Sequence, residues 1–142
     1  MSKWRENITS KKKYEKVLKS LVDGCKKLEK AKCKFIVIPC NTAHYWYQDL
    51  RKKIKIPIIN MPKEVFIHTK KRCKQNSSIG LLATEGTLNT GVYNKFFDKN
   101  YNLIFPNISL QKNSVNKAIK FVKMGKVKAA SKIIKPAINY LV

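Results

Sequence analysis

Residues 35–47 read FIVIPCNTAHYWY. The run Phe35-Ile36-Val37-Ile38 reads as a short strand, apolar on both faces and therefore buried, and Pro39 ends it. Asn41 and Thr42 are favoured helix N-cap residues, and the amphipathic stretch after them reads as a helix of about ten residues to Lys53. Cys40 thus falls between the end of a strand and the start of a helix. Open α/β sheets place their chemistry at that junction.

The same grammar extends to either side. Before the strand, Tyr14, Val17, Leu18, Leu21, Val22, Cys25 and Leu28 recur with the 3.6-residue period of a helix that packs one face on a sheet. After it, Pro57-Ile58-Ile59 reads as a second short strand, and Asn60-Met61-Pro62 leads into a helix whose first turn suits the proline. Residues 78–83 (SIGLLA) read as a third buried strand, followed by the turn Thr84-Glu85-Gly86-Thr87 and a helix from about Leu88 to Phe97. A strand over Tyr101–Phe105 and two helices, near 111–124 and 126–141, complete the pattern. Regular strand–helix alternation predicts an α/β fold with parallel strands and right-handed crossovers.

The two strand-to-helix turns, 39–44 (PCNTAH) and 83–87 (ATEGT), are both expected at the C-terminal edge of parallel strands, facing one crevice. The start of a helix offers free backbone N–H groups and partial positive charge, a ready place for a carboxylate or phosphate. A thiol in that field is favoured as the thiolate. The combination points to a reaction on a small carboxylic acid.

Composition narrows the classes. The chain has 142 residues and a hydrophobic fraction of 44%, ordinary for a folded protein. No apolar run approaches the roughly 20 residues of a membrane-spanning helix. The charged start, MSKWRENITSKKKYEK, lacks the apolar core of a signal peptide, so the expected compartment is the cytoplasm. The formal net charge of +23 raises a nucleic-acid-binding domain as one reading. Against it, 28 of the 31 basic residues are lysines spread along the whole chain. Only Arg5, Arg51 and Arg72 could clamp phosphates or bases in a bidentate way. Cys25, Cys33, Cys40 and Cys73 form no C-x-x-C pair, and the two histidines are not spaced for zinc, so no metal site is expected. Cys25 lies on the apolar helical stripe and reads as core; Cys33 and Cys73 have no distinctive setting.

The segments IPCNTAHYWY (38–47), IPIINM (56–61) and GLLATEGTLNTGVY (80–93), in that order, resemble the aspartate/glutamate racemases, the cofactor-independent amino-acid racemases. The resemblance implies a three-layer, parallel-sheet racemase-type fold of two partial subdomains. Residues 1–61 would hold the Cys40 motif and residues 62–142 the ATEGT turn. It also implies proton transfer at the α-carbon of an acidic amino acid, aspartate or glutamate, by two cysteine acid–bases on opposite faces, without pyridoxal phosphate or another cofactor. Carried over by position, Cys40 is the first catalytic cysteine. Asn41 and Thr42 hold the substrate carboxylate or ammonium group, and Thr84, Gly86 and Thr87 form a second anion-binding turn. His44 is a further candidate near the substrate. Glu85 is expected to face solvent, because a carboxylate turned into such a pocket repels the substrate.

Members of that family also begin with a strand ending in a glycine-rich turn and carry the second cysteine late, in a G-C-T-E-like segment. Neither is found here, so the chain resembles the middle of such an enzyme. The chain then reads as a degraded gene product, or the remaining parts come from a complementary racemase fragment or from another subunit of a homo-oligomer. The alternative to catalysis is a racemase-derived chain that binds a dicarboxylate or a partner without turning it over.

Overall fold

The computed structural model describes residues 11–142. Helix α1 (Lys11–Lys30) buries Val22 and Cys25 from the stripe expected for it. It closes with Lys32 in the left-handed region (φ 60°). There the Cys33 N–H donates to Leu28 O and the Lys32 N–H to Glu29 O, the paired bonds of a Schellman ending.

Four short strands follow: β1 (Ile36–Val37), β2 (Ile58–Ile59), β3 (Ser78–Gly80) and β4 (Asn102–Ile104). They pair as two separate two-stranded parallel sheets, β1 with β2 in the register Ile36↔Ile58 and β3 with β4 in the register Ile79↔Leu103. A single residue step reverses the side of a strand. Accordingly Ile36 and Ile58 are buried, while Phe35 (57% exposed), Val37 (53%) and Ile59 point away from the core. The expectation of a strand buried on both faces is therefore corrected: among the described residues, only one face of β1 is covered.

After β1 the chain makes a 3₁₀ turn (Thr42–Trp46) that runs into α2 (Tyr47–Lys53). Next come α3 (Met61–Lys70), α4 (Glu85–Thr90), α5 (Asn94–Phe97) and the single turn α6 (Ile108–Leu110). A π-helical segment (Gln111–Val115) then leads into α7 (Asn116–Lys123), and α8 (Val127–Leu141) follows. In α3, Pro62 occupies the first turn, as the sequence predicts, and Asn60 Oδ1 caps the Lys63 N–H at 3.0 Å. Leu141 of α8 lies over Gly80 so closely that a Cβ there would meet its side chain at 3.2 Å.

Two hydrophobic clusters result. The first gathers Val22, Cys25, Ile36, Trp46, Leu50, Ile54 and Ile58 between α1, β1, β2 and α2. The second gathers Val92, Tyr93, Phe97 and Tyr101, with Phe66 of α3 against it. Tyr45, in the 3₁₀ turn, packs against both clusters. The turn that carries Cys40 therefore sits where the clusters meet.

Candidate active site

Pro39 has no N–H to give, so the Cys40 N–H reaches back to Ile38 O at 2.8 Å and closes a γ-turn over the proline. The Cys40 carbonyl accepts from the Ala43 N–H at 3.2 Å and bonds His44 Nδ1 at 2.9 Å. Backbone on both sides of Cys40 is thus fixed, while the residue itself stays exposed.

His44 is buried, and its second nitrogen, Nε2, accepts from the Met61 N–H at 3.1 Å. That acceptor role puts the proton on Nδ1, which donates to Cys40 O. In this tautomer the Ile59 carbonyl, 3.4 Å from Nε2, receives no proton. The Met61 N–H opens α3 and has no intrahelical acceptor. One imidazole thus satisfies the start of α3 and pins the Cys40 turn to it. His44 was a candidate near the substrate; its ring is committed to backbone at both nitrogens.

Asn41 does not cap the helix. Its backbone is already helical (φ −54°, ψ −49°), and its side chain makes no capping bond. Instead Asn41 Oδ1 accepts from the Tyr93 hydroxyl at 2.7 Å, across 52 residues of sequence. Burial pushes the Tyr93 phenol above its ordinary value, which keeps it a donor.

Thr84 is the N-cap of α4, accepting the Thr87 N–H at 3.2 Å. The Thr87 hydroxyl lies 3.1 Å from Thr84 Oγ1 and 3.1 Å from Thr42 Oγ1. Three hydroxyls therefore run in a chain from one turn to the other, with buried Thr87 in the middle. Two bonds consume two of the three hydroxyl protons. The third O–H stays free for an oxyanion: on Thr84 or Thr42 where the bonds run in one direction, and on Thr87 where both neighbours donate to it. Gly86 is buried in the first turn of α4, where its carbonyl accepts from Thr90 Oγ1 at 2.9 Å.

Beyond Thr84 opens a cleft of about 310 Å³, lined by Thr84, Asn116, Ile119, Lys120 and Lys123. Positions 116, 120 and 123 fall on one face of α7, which brings two lysines to the cleft beside Thr84. Neither lysine is ion-paired among the described residues. Glu85 is exposed, as expected, but not free: Asn116 Nδ2 donates to its Oε1 at 2.8 Å. Sequence reasoning missed both lysines. Their i, i+3 spacing beside Asn116 was the available signal, hidden among 28 lysines.

Cys25 is buried in the first cluster. Cys33 and Cys73 precede β1 and β3, whereas Cys40 and the threonine turn follow them. So only Cys40 stands at the C-terminal edge of a strand. No group of His, Cys, Asp and Glu among the described residues could hold a metal ion.

The family model for Asp/Glu/Hydantoin racemase matches residues 3–142. The chain belongs to that family. The broad specificity amino-acid racemase RacX of Bacillus subtilis is 30% identical over 87 residues, 61% of this chain and 37% of that protein. The glutamate racemase of Corynebacterium glutamicum is 29% identical over 113 residues, 77% of this chain and 38% of that one. Among solved structures, the aspartate racemase of Picrophilus torridus superposes with a TM-score of 0.72 at 31% identity, covering 86% of this chain and 50% of that one. An aspartate racemase homologue from Pyrococcus horikoshii shares the fold, with a TM-score of 0.74 at 21% identity over 98% of this chain and 61% of that one. The α/β racemase-type fold expected from the sequence is thus found. The chain spans little more than a third of the length of these curated relatives and half to three-fifths of these solved chains.

Proposed function

We propose that this chain supplies one half of an amino-acid racemase site of the aspartate/glutamate type, working without a cofactor in the cytoplasm. The observation that carries the reading is the bond between Thr42 and Thr87, which joins the Cys40 turn to the anion-binding turn.

In this reading the α-carboxylate lies against the free threonine hydroxyl, with Asn41 and Gly86 completing the walls of the two turns. The side-chain carboxylate lies in the cleft, opposite Lys120 and Lys123. The Cys40 thiolate removes the α-proton: the S–H bond forms as the Cα–H bond breaks, and the electron pair passes into the enolate of the carboxylate. Hydroxyl donors and ammonium groups held in place stabilise that charge. Inversion then needs a proton from the opposite face. We assign that proton to a second acid–base group outside residues 11–142, carried by a complementary racemase-type segment or another copy of this chain. The exposed Phe35, Val37 and Ile59 on the uncovered face of β1 and β2 offer apolar surface for such a segment.

The test is α-proton exchange in deuterated water with L- and D-aspartate and glutamate, read by NMR beside optical rotation. Exchange is expected, and Cys40→Ser abolishes it. Exchange with retention places Cys40 as a base in half a site, whereas inversion requires the second group to be present. A folded protein that exchanges no α-proton from any of the four substrates refutes the catalytic reading. Dicarboxylate binding without exchange would then favour the binding-only alternative.

A further inference from the structure

Gln111 is 7% exposed, and its Oε1 has no partner among the described residues. Its Nε2 nevertheless makes two bonds, to Ala83 O at 3.0 Å and to Asn116 Oδ1 at 2.9 Å. Asn116 Nδ2 then donates to Glu85 Oε1 at 2.8 Å. The relay leaves the threonine turn at Ala83 and returns to it at Glu85, closing a loop around Thr84.

The π-helical segment makes this relay geometrically available. In an α-helix, side chains five residues apart point about 140° away from each other around the axis. Here the Asn116 N–H donates to the Gln111 carbonyl, the i→i+5 bond that brings these two positions back to one side. A buried amide with one orphaned end lowers stability. The wide turn, the orphaned oxygen and the two Nε2 bonds occur together at Gln111.

The relay ends on the Glu85 carboxylate, next in the chain to Thr84 of the lysine cleft. Asn116 lines that cleft with Thr84, Lys120 and Lys123. Glu85 follows Thr84 directly, and on release its carboxylate would compete for the same ammonium groups. We propose that Asn116, set by Gln111, is a positioning residue that holds the Glu85 carboxylate off Lys120 and Lys123 and so keeps the cleft open to an incoming dicarboxylate. This inference rests on reading the cleft as the site of the substrate's side-chain carboxylate.

The experiment compares the wild-type chain with Asn116→Ala, Glu85→Gln and the double variant. Succinate affinity is measured by titration calorimetry, and the side-chain NMR resonances of Lys120 and Lys123 are recorded without ligand. The expected result is a loss of affinity in Asn116→Ala of about threefold to fivefold, the scale of an exposed ion pair. The lysine resonances shift in the same variant, the double variant returns both readouts to wild type, and Glu85→Gln alone changes neither. A merely structural role for Asn116 gives a loss that Glu85→Gln does not restore, and that result overturns the proposal. Unshifted lysine resonances in Asn116→Ala overturn it as well, whether or not succinate binds. Absence of succinate binding to the wild-type chain, with the resonances shifting as described, removes the substrate reading of the cleft and leaves the Glu85 restraint standing.

Discussion

Replacing His44 by alanine removes three things that can be counted. The first is the bond from Nδ1–H to Cys40 O (2.9 Å), and the second is the bond from the Met61 N–H to Nε2 (3.1 Å). At about 1 kcal/mol net for each, they contribute about 2 kcal/mol. The third is the ring itself, stacked on Tyr47 with centroids 6.3 Å apart and planes 13° from parallel, worth about 1 kcal/mol. His44→Ala is therefore expected to lower stability by about 3 kcal/mol, a large part of the roughly 5–15 kcal/mol that holds a domain folded. His44→Phe keeps the ring and forfeits the bonds, so it should lose about 2 kcal/mol. Urea unfolding followed by tryptophan fluorescence gives both values from the shift in midpoint at unchanged slope. The reasoning fails if His44→Ala costs less than about 1 kcal/mol while α-proton exchange falls more than tenfold. That pattern means that the imidazole acts on substrate and does not hold the Cys40 turn.

Two further outcomes follow from the first helix. The Tyr14 hydroxyl donates to Asp49 Oδ2. Burial, then the bond to Asp49, raises the phenol to about 12, and the same bond foremost holds the Asp49 carboxyl below its ordinary range. A depressed carboxyl adds stability above its unfolded value and loses it as pH falls through the folded one. A raised phenol adds stability below its unfolded value and loses it as pH rises toward 12. Tyr14→Phe should therefore cost about 1 kcal/mol near neutrality, and the difference from wild type should shrink at both acid and alkaline extremes of a urea-unfolding series. A difference constant from acid to neutral pH would show that Asp49 gains nothing from the phenol. Lys32→Gly relieves a left-handed residue that carries a Cβ, and it should raise stability by about 0.5–1 kcal/mol, read as a higher melting temperature. Unchanged or lower melting would refute that account of the helix ending.

The elements legible from sequence are those dictated by local pattern. The stripe of α1 and the prolines at 39 and 62 each follow from backbone chemistry within a few residues. They stand in the structure except at Leu28, the last residue of the stripe, which is 42% exposed. What escaped depends on contacts that cross the chain. Asn41 read as a cap because its own neighbourhood favours capping, yet Tyr93, 52 positions away, takes its side chain. His44 read as a site residue because it follows a cysteine motif, and only the arrival of α3 shows what its second nitrogen accepts. The π-turn at Gln111–Val115 left no mark in hydrophobic spacing, since one extra residue in a turn looks like ordinary drift of the apolar face. Phe35-Ile36-Val37-Ile38 looked buried throughout because four apolar residues carry no information about which side of a sheet is covered.

The placement of the site between two clusters bears on how it works. Among the contacts that join the Cys40 turn to the second cluster and the threonine turn are the Thr42–Thr87 hydroxyl pair, the Tyr93–Asn41 bond and the packing of Tyr45. The two hydrogen bonds are neutral and contribute about 1 kcal/mol each, so the spacing between the turns is held by a small free energy. The turns themselves are held more firmly: Cys40 by Ile38, Ala43 and His44, and Thr84 by Thr87 with the Gln111–Asn116 relay behind it. Under the proposed function, a dicarboxylate that touches both turns would add charge-assisted bonds across this joint. Thr87 is central to this arrangement. Its buried hydroxyl bonds Thr42 in one turn and Thr84 in the other.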